Sequence, residues 1–303
     1  MHNSRRSFLK RSTLALAGAS ILSEISFACT GSADGELVGI QLYSVRDDMK
    51  KDPLGTLKQL AAMGYKNVEH ADYVNRKFYG YTANEFKKIL TDLGMKMPSG
   101  HTVMSAQHWD GAKKDFTDVW KNTIEDAVIM GQKYVISPSL DDELRKDRNA
   151  LLQFLEVFNK SGELCNKSGM KFGYHNHDFE FHESLDGEIL YDIIMKNTDP
   201  KLVIQQLDIG NLYNGGANAS EIVKKYPNRF SSLHVKDEIK GSGDEKYEST
   251  ILGTGIVNTK EVIDMVRKNS KGIHYIIEQE TYHGKTPLEC AKEDLAIMKG
   301  WGY

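Results

Sequence analysis

The sequence predicts one α/β domain, a (β/α)8 barrel over residues 37–303, and three observations carry that reading. A helical run, then Gly, then a short apolar run recurs at Ala62-Met63-Gly64-Tyr65, Asp92-Leu93-Gly94-Met95, Ile129-Met130-Gly131-Gln132 and Lys167-Ser168-Gly169-Met170. Gly just past a last helical turn takes the left-handed conformation without a Cβ penalty, so each is a helix stop. Their spacing, roughly thirty to forty residues, is that of one strand–helix unit. No Gly-rich dinucleotide loop follows the first apolar run, which argues against a doubly wound open sheet.

The strands expected in order are Leu37–Tyr43, Tyr65–His70, Met95–His101, Lys133–Ser137, Met170–His175, Leu202–Asp208, Phe230–Lys236 and Ile273–Gln279. Among the helices between them are Leu54–Met63, Ala83–Leu93, Phe116–Met130 and Leu151–Ser168. Gly253-Thr254-Gly255 precedes the seventh helix, whose expected cap is Asn258 or Thr259. The two glycines could form an anion-binding nest, although such a pair more often only makes a turn.

Residues 1–28 read as a leader rather than as part of the barrel. Ser4-Arg5-Arg6-Ser7-Phe8-Leu9-Lys10 has the form of a twin-arginine export signal, and an apolar stretch from Leu14 to Ala28 follows it. That stretch is too short and too rich in Ser and Ala for a stable span, and Glu24 interrupts it. Ser26 and Ala28 fit ordinary signal peptidase, while Cys29 directly after Ala28 fits lipoprotein processing and membrane attachment through a lipidated Cys29. Residues 29–36 are small and polar, as a tether would be. The expected location is the periplasm, free or membrane-anchored.

Removing the leader takes away four basic residues and one acidic residue, leaving a net charge of about −6 with His neutral. With no basic patch, nucleic-acid binding has little electrostatic support. Cys165 and Cys290 lie in helix-like segments and make no disulfide framework. A chain exported already folded from the reducing cytoplasm needs none.

Four strand-like runs end in side chains that bind metals: Met-Lys-Phe-Gly-Tyr-His175, Leu-Val-Ile-Gln-Gln-Leu-Asp208, Phe-Ser-Ser-Leu-His234 and His-Tyr-Ile-Ile-Glu278. Consecutive strands of a closed parallel barrel would bring these ends around one point. Imidazole and carboxylate suit divalent Mn, Fe, Co, Ni or Zn. Chemistry in such barrels sits where strands end. The other strand ends therefore contribute Gln41, Tyr43, Glu69 and Asn176 as candidate substrate contacts, and His101, His177 and Lys236, with Glu278, as candidate proton-transfer groups. Glu69 could instead fix a Lys or His within the barrel mouth.

The strings Gly39-Ile40-Gln41-Leu42-Tyr43-Ser44-Val45-Arg46-Asp47, Tyr174-His175-Asn176-His177-Asp178-Phe179, His234-Val235-Lys236-Asp237 and Ile277-Glu278-Gln279-Glu280 resemble the sugar isomerase/epimerase family with a xylose-isomerase-like TIM barrel. The resemblance runs from Leu37 to the C-terminus. It implies one divalent metal, Mn foremost with Zn, Co, Fe or Mg as alternatives, held from the fifth to eighth strands by Glu, Asp, His and Glu. Asp208, His234 and Glu278 match three of these. The fifth strand departs, reading His175-Asn176-His177 where many members read Glu-Asn-His.

Neutral His in place of Glu removes one of the two carboxylates that family epimerases are thought to use on opposite faces of a substrate. It also leaves a bound metal a stronger Lewis acid. The expected activity is isomerisation or epimerisation of a non-phosphorylated keto-sugar by proton abstraction next to a carbonyl, with elimination of the aglycone from 3-keto glycosides as the alternative. A non-catalytic carbohydrate-binding lipoprotein is a further reading. An abasic-site endonuclease is opposed by the acidic balance and the single ligand set. The expected partner is a small sugar, and barrel surfaces leave room for homo-oligomers.

Overall fold

In a computed structural model, residues 37–243 and 246–303 are described. The expected leader and tether, and Cys29, lie outside the described residues. Eight parallel strands close into a barrel: β1 (Leu37–Gln41), β2 (Asn67–His70), β3 (Lys96–His101), β4 (Tyr134–Ser137), β5 (Lys171–His175), β6 (Val203–Asp208), β7 (Phe230–Val235) and β8 (His274–Ile277), with β8 pairing back onto β1. Eight main helices alternate with them: α1 (Pro53–Met63), α2 (Ala83–Asp92), α3 (Asp118–Met130), α4 (Arg148–Lys167), α5 (Leu190–Asn197), α6 (Ala219–Lys225), α7 (Thr259–Asn269) and α8 (Pro287–Gly300). The predicted (β/α)8 barrel is the observed fold. No described helix is long and apolar enough to cross a membrane.

The helix stops work as the sequence implies, with Gly64, Gly94, Gly131 and Gly169 all at positive φ. Strand period 2 then sorts side chains between two layers. Leu207, Leu233, Val235, Tyr275 and Ile277 belong to the apolar layer under the helices. Their neighbours in sequence, Gln206, Asp208, Ser232 and His234, are buried polar groups that turn to the barrel interior. Cys165 and Cys290 are buried and form no disulfide.

The sequence reading differs from the structure mainly at loops. The first strand stops at Gln41, because Leu42–Val45 tightens into a 3-10 turn that opens on the Gln41 side chain accepting the Tyr43 N–H. The third helix begins at Asp118 rather than Phe116, since Asp115–Phe116 pairs with Trp109–Asp110. Asn258 precedes α7 in the left-handed conformation and makes no side-chain cap. The Gly253–Gly255 nest is filled from within: the Asp237 carboxylate accepts the N–H groups of Gly253 (2.9 Å), Gly255 (3.1 Å) and Val257 (3.2 Å). It is a turn held by a buried acid.

One glycine of β3 matters for the site. A Cβ at Gly100 would lie 1.9 Å from the His70 ring, which packs edge-on against Phe78. Gly100→Ala is therefore expected to displace His70 and strain the strand carrying His101, costing about 1–3 kcal/mol of stability in urea unfolding. Unchanged stability would mean that the ring moves freely.

Candidate metal centre and substrate cavity

The strand register sets the ligands side by side. Asp208 pairs with His234 across β6 and β7, and His175 on β5 pairs with Gln206, two residues before Asp208. The ligand atoms of Asp208, His234 and Glu278 all lie within 4.8 Å of one another, and those of His101, His175 and His234 form a second such group. His234 Nδ1 is 3.0 Å from Glu278 Oε2 and 3.8 Å from Asp208 Oδ2, and His175 Nε2 is 3.9 Å from Asp208 Oδ2. Of the four predicted ligands, Asp208, His234 and Glu278 form one group, and His175 adjoins it through Asp208 and His234.

Outer hydrogen bonds decide which ring nitrogen each histidine presents. His234 Nε2 lies 2.6 Å from Glu69 Oε1, and a proton held there leaves Nδ1 facing Asp208 and Glu278. His175 Nδ1 lies 3.0 Å from Gln206 Oε1, which turns Nε2 toward Asp208. Metal-binding histidines are characteristically oriented by such carboxylate or carbonyl partners. Gln206 is the hub. Its Oε1 also meets His101 Nε2 at 2.6 Å, while its Nε2 donates to Glu69 Oε2 and to Ser232 Oγ, both at 3.0 Å.

The electrostatics describe a site short of cationic charge. Asp208 is fully buried, its Oδ1 accepts the Asn211 N–H, and its Oδ2 has no hydrogen-bond partner. Burial pushes the Asp208 carboxyl up to about 7 against the pull of Lys236. Burial alone would depress the His234 imidazolium, but the Glu278 and Glu69 carboxylates overcome it and hold it up at about 10. Glu278 moves the other way: burial opposes its ionisation, yet His234 and Lys236 hold it well below the usual range. Burial and the neighbouring His234 and His101 keep His175 unprotonated.

A proton on His234 Nδ1 therefore occupies the position where a cation would sit between two carboxylates. Metal binding generally displaces such protons. The unpartnered Asp208 oxygen, the two aimed imidazoles and the carboxylate–imidazole donor set together fit a divalent transition metal.

This centre opens into a cavity of about 860 Å³ lined by His101, His175, His177, Tyr43, Glu278 and Glu280, among others. His177 is held unprotonated by burial and by Lys236. Its backbone N–H is fixed by Glu180 Oε2 at 2.9 Å. Lys236 is almost wholly buried beside the cavity, with Nζ 2.7 Å from Glu280 Oε1, 3.6 Å from Glu278 Oε2 and 3.8 Å from Asp208 Oδ2. Tyr43 lines the mouth with the Arg46 guanidinium 4.7 Å over its ring.

Three expected substrate contacts are placed differently. Gln41, Glu69 and Asn176 are buried and do not line the cavity. Gln41 Nε2 donates to Glu69 Oε1 at 2.9 Å, so both serve the His234 side of the hub. Asn176 Oδ1 accepts the Asp208 N–H at 3.0 Å and its amide donates to the Asp208 carbonyl, which clamps β5 to β6. Glu69 takes the alternative expected of it, fixing histidine. The strand ends were identified correctly, but the side chains point beneath the ligands rather than out toward a substrate.

Sequence reasoning missed Gln206, Asn211 and Glu280. Gln206 and Glu280 each stand two residues from a predicted ligand, so strand period 2 was a usable signal. Asn211, whose Oδ1 accepts from Lys236 Nζ at 3.1 Å, has no such signal. Gln206→Leu would keep the volume but take the partner of His175 Nδ1 and remove one hydrogen bond each from His101, Glu69 and Ser232. The expected result is metal affinity lowered by about 10–100-fold and stability lowered by about 1–3 kcal/mol, read by metal titration and urea unfolding. Wild-type affinity would show that Gln206 does not orient the ligands.

Comparison with known proteins gives the class. The chain belongs to the xylose isomerase-like TIM barrel family, whose model matches residues 57–301. It is 40% identical over 272 residues to an inosose dehydratase of Clostridium botulinum (strain Alaska E43 / Type E3), covering 80% of this chain and 87% of that protein. An inosose dehydratase of Clostridium perfringens is 31% identical over 177 residues, 54% of this chain, and the match spans only 58% of that relative's length. Among solved structures, a sugar phosphate isomerase/epimerase from Parabacteroides distasonis ATCC 8503 superimposes with a TM-score of 0.74 at 25% identity, covering 90% of this chain and 95% of that one.

Proposed function

We propose that the protein is a divalent-metal-dependent lyase. It removes a proton next to the carbonyl of a non-phosphorylated keto-sugar or cyclic polyol ketone and expels the substituent on the neighbouring carbon. The observation that carries this reading is the buried Asp208–His234–Glu278 cluster, with Asp208 Oδ2 unpartnered and Glu278 opening into the cavity.

Asp208, His234, Glu278 and His175 hold the ion, which when bound supplies Lewis-acid polarisation of the substrate carbonyl. Glu278 takes the proton from the carbon next to that carbonyl. The electron pair left behind forms the carbon–carbon double bond as the bond to the neighbouring oxygen substituent breaks. The departing oxygen takes up that proton, passed from Glu278 through the neutral His177 imidazole, and leaves as water or an alcohol, and the product is a conjugated enone. Lys236 holds Glu278 and Glu280 in place by charge. No oxidant or reductant is required.

Two features favour elimination over epimerisation. Epimerisation on opposite faces calls for a second carboxylate, and β5 supplies His175 in its place. The aligned relatives named inosose dehydratase support the same choice. Isomerisation is the second reading. It shares the proton abstraction and draws support from the likeness to the Parabacteroides isomerase/epimerase. Among the described residues that line the cavity, Arg76 is the sole Arg or Lys and is paired with Asp126 and Glu125, while Lys236 beside it is paired with Glu280. The described cations near the site are thus committed to protein acids rather than to a phosphate. We also place the protein outside the cytoplasm, on the strength of Ser4–Lys10, where phosphorylated sugars are scarce.

The test is NMR of the metal-loaded protein with keto-sugars, inososes and 3-keto glycosides in deuterated water. An enone with a released alcohol or water supports the lyase, and a deuterated isomer supports isomerisation. Turnover without deuterium entering substrate or product removes proton abstraction from consideration.

A further inference from the structure

The cavity is built in two chemically distinct parts. Its inner part carries the ligands and acids described above. Its outer part carries an exposed apolar strip among polar neighbours such as Asp72, Asn75, Gln107 and Asn122. Among the described residues only a few large hydrophobic side chains are exposed, and four of them line this one cavity: Val74 (59% exposed), Val119 (59%), Val103 (44%) and Tyr43 (42%). They come from four separate segments, after β1, after β2, after β3 and from the first turn of α3. Scattered exposed apolar residues need no explanation, but a convergent group beside a polar centre marks a binding surface.

The wall is held rigidly. Val74 sits on a hairpin, Tyr73–Val74 against Lys77–Phe78, whose turn residues Asn75 and Arg76 both have positive φ. Arg76 ties the hairpin to α3 through Asp126 (Nε 2.9 Å, Nη2 2.6 Å) and Glu125 (2.6 Å), and the Tyr73 hydroxyl donates to Asp126 at 2.6 Å. The one cation of this wall is thereby committed to protein, and the acids Asp72, Glu278 and Glu280 also face the cavity. An anionic extension of the substrate is disfavoured. The volume, about 860 Å³, lies near the top of the ~300–1,000 Å³ range of ligand pockets. A single sugar ring at the metal centre would leave the outer part to water held against valines.

We infer that the outer part is an aglycone subsite, and that the substrate is a keto-glycoside whose leaving group is an uncharged apolar or aromatic alcohol. This rests on the lyase reading above and specifies its leaving group. With a 3-keto glycoside the carbonyl is at C3, the proton is lost from C2, and the bond from C1 to the aglycone oxygen breaks, giving an enone and the free alcohol. The sugar ring occupies the inner acids and histidines. The aglycone lies along Val74, Val103 and Val119, with the Tyr43 ring, backed by Arg46, as a flat contact.

The experiment measures binding and turnover separately for phenyl and methyl 3-keto-β-glucosides and for a free inosose, using the metal-loaded full chain. The phenyl glycoside is expected to bind about tenfold or more tighter than the methyl glycoside, and the double substitution Val74→Ser/Val119→Ser to bring the ratio toward one. Equal binding of the two glycosides to the wild type overturns the subsite, as does a phenyl preference that survives both substitutions. Self-association of the wild type through this face, relieved by the same substitutions, also overturns it. A phenyl preference in binding with no turnover of any ketone leaves the subsite standing and refutes the lyase. Turnover of inosose and both glycosides with equal binding does the reverse.

Discussion

Asp208→Ala is expected to abolish metal binding, taking the metal content from about one ion per chain to background, and with it all turnover. Asp208 contributes a buried carboxylate oxygen with no hydrogen-bond partner, set between His234, His175 and Lys236 at 3.8–3.9 Å, so its loss takes the central donor of the cluster. The substitution also removes the side chain that accepts the Asn211 N–H at the start of the short helix Ile209–Asn214, so Asp208→Asn is the sharper variant. It keeps an acceptor for that N–H while removing the charge.

The two states of the protein should then respond in opposite directions. In metal-free protein the Asp208 carboxyl is raised to about 7 by burial, whereas in the unfolded chain it titrates near ~3.9. Between these values the folded state holds the extra proton, so this group costs stability as pH rises from about 4 to about 7. Asp208→Asn should raise the melting temperature of chelated protein at pH 8 more than at pH 5, and should lose the further stabilisation that added Mn, Zn or Co gives the wild type. Full metal content in either variant, measured by elemental analysis after gel filtration, would remove Asp208 from the ligand set.

Physical reasons divide what could be read in the sequence from what could not. The barrel followed from four helix stops, because Gly at positive φ is a local requirement that leaves a local signature. The candidate metal ligands could be read from strand ends, because a parallel barrel carries equivalent strand positions to one rim whatever its loops do. Lys236 and Glu278 were found in the same way. Three neighbours were given the wrong company. Gln41, Glu69 and Asn176 stand at strand ends too, yet Gln41 and Glu69 lie one interior layer below the ligands, Glu69 opposite Ser99 rather than His101, and Asn176 turns to the Asp208 backbone. Depth in the barrel is set by strand stagger, which only the register shows. Gln206 shows the reverse. Its face was calculable from Asp208, but a glutamine inside an apolar run carries no chemistry of its own until His101, His175 and Glu69 surround it. The hairpin carrying Val74 and Arg76 was invisible because two-residue strands have no period. What holds it is an ion pair to Asp126, 50 residues away.

Replacing Glu278 by Gln should lower turnover by about 10²–10⁴-fold, the range typical of a lost general base. Gln keeps an oxygen able to face the ion but cannot accept a proton, so the loss should fall on the chemical step. Metal affinity will fall as well, since one charge leaves the ligand set, and the comparison is made at saturating metal. Loss of Glu278 has a second consequence inside the cluster. His234 Nδ1 lies 3.0 Å from its Oε2, and the Glu278 carboxylate is the first of the groups that raise the His234 imidazolium to about 10. Without it His234 should release its proton more readily, which partly offsets the loss of metal affinity and separates binding from chemistry. The decisive readout is wash-in of solvent deuterium at the carbon next to the carbonyl: wild type exchanges, Glu278→Gln does not, and His177→Ala exchanges but turns over slowly because only the leaving group lacks its proton. His101→Ala, with its ring stacked 5.0 Å from His234, should weaken binding and leave exchange in the bound complex intact. Exchange that survives in Glu278→Gln but disappears in His177→Ala or His101→Ala would transfer the base to that histidine, and exchange surviving in all three would place it on a group outside this set.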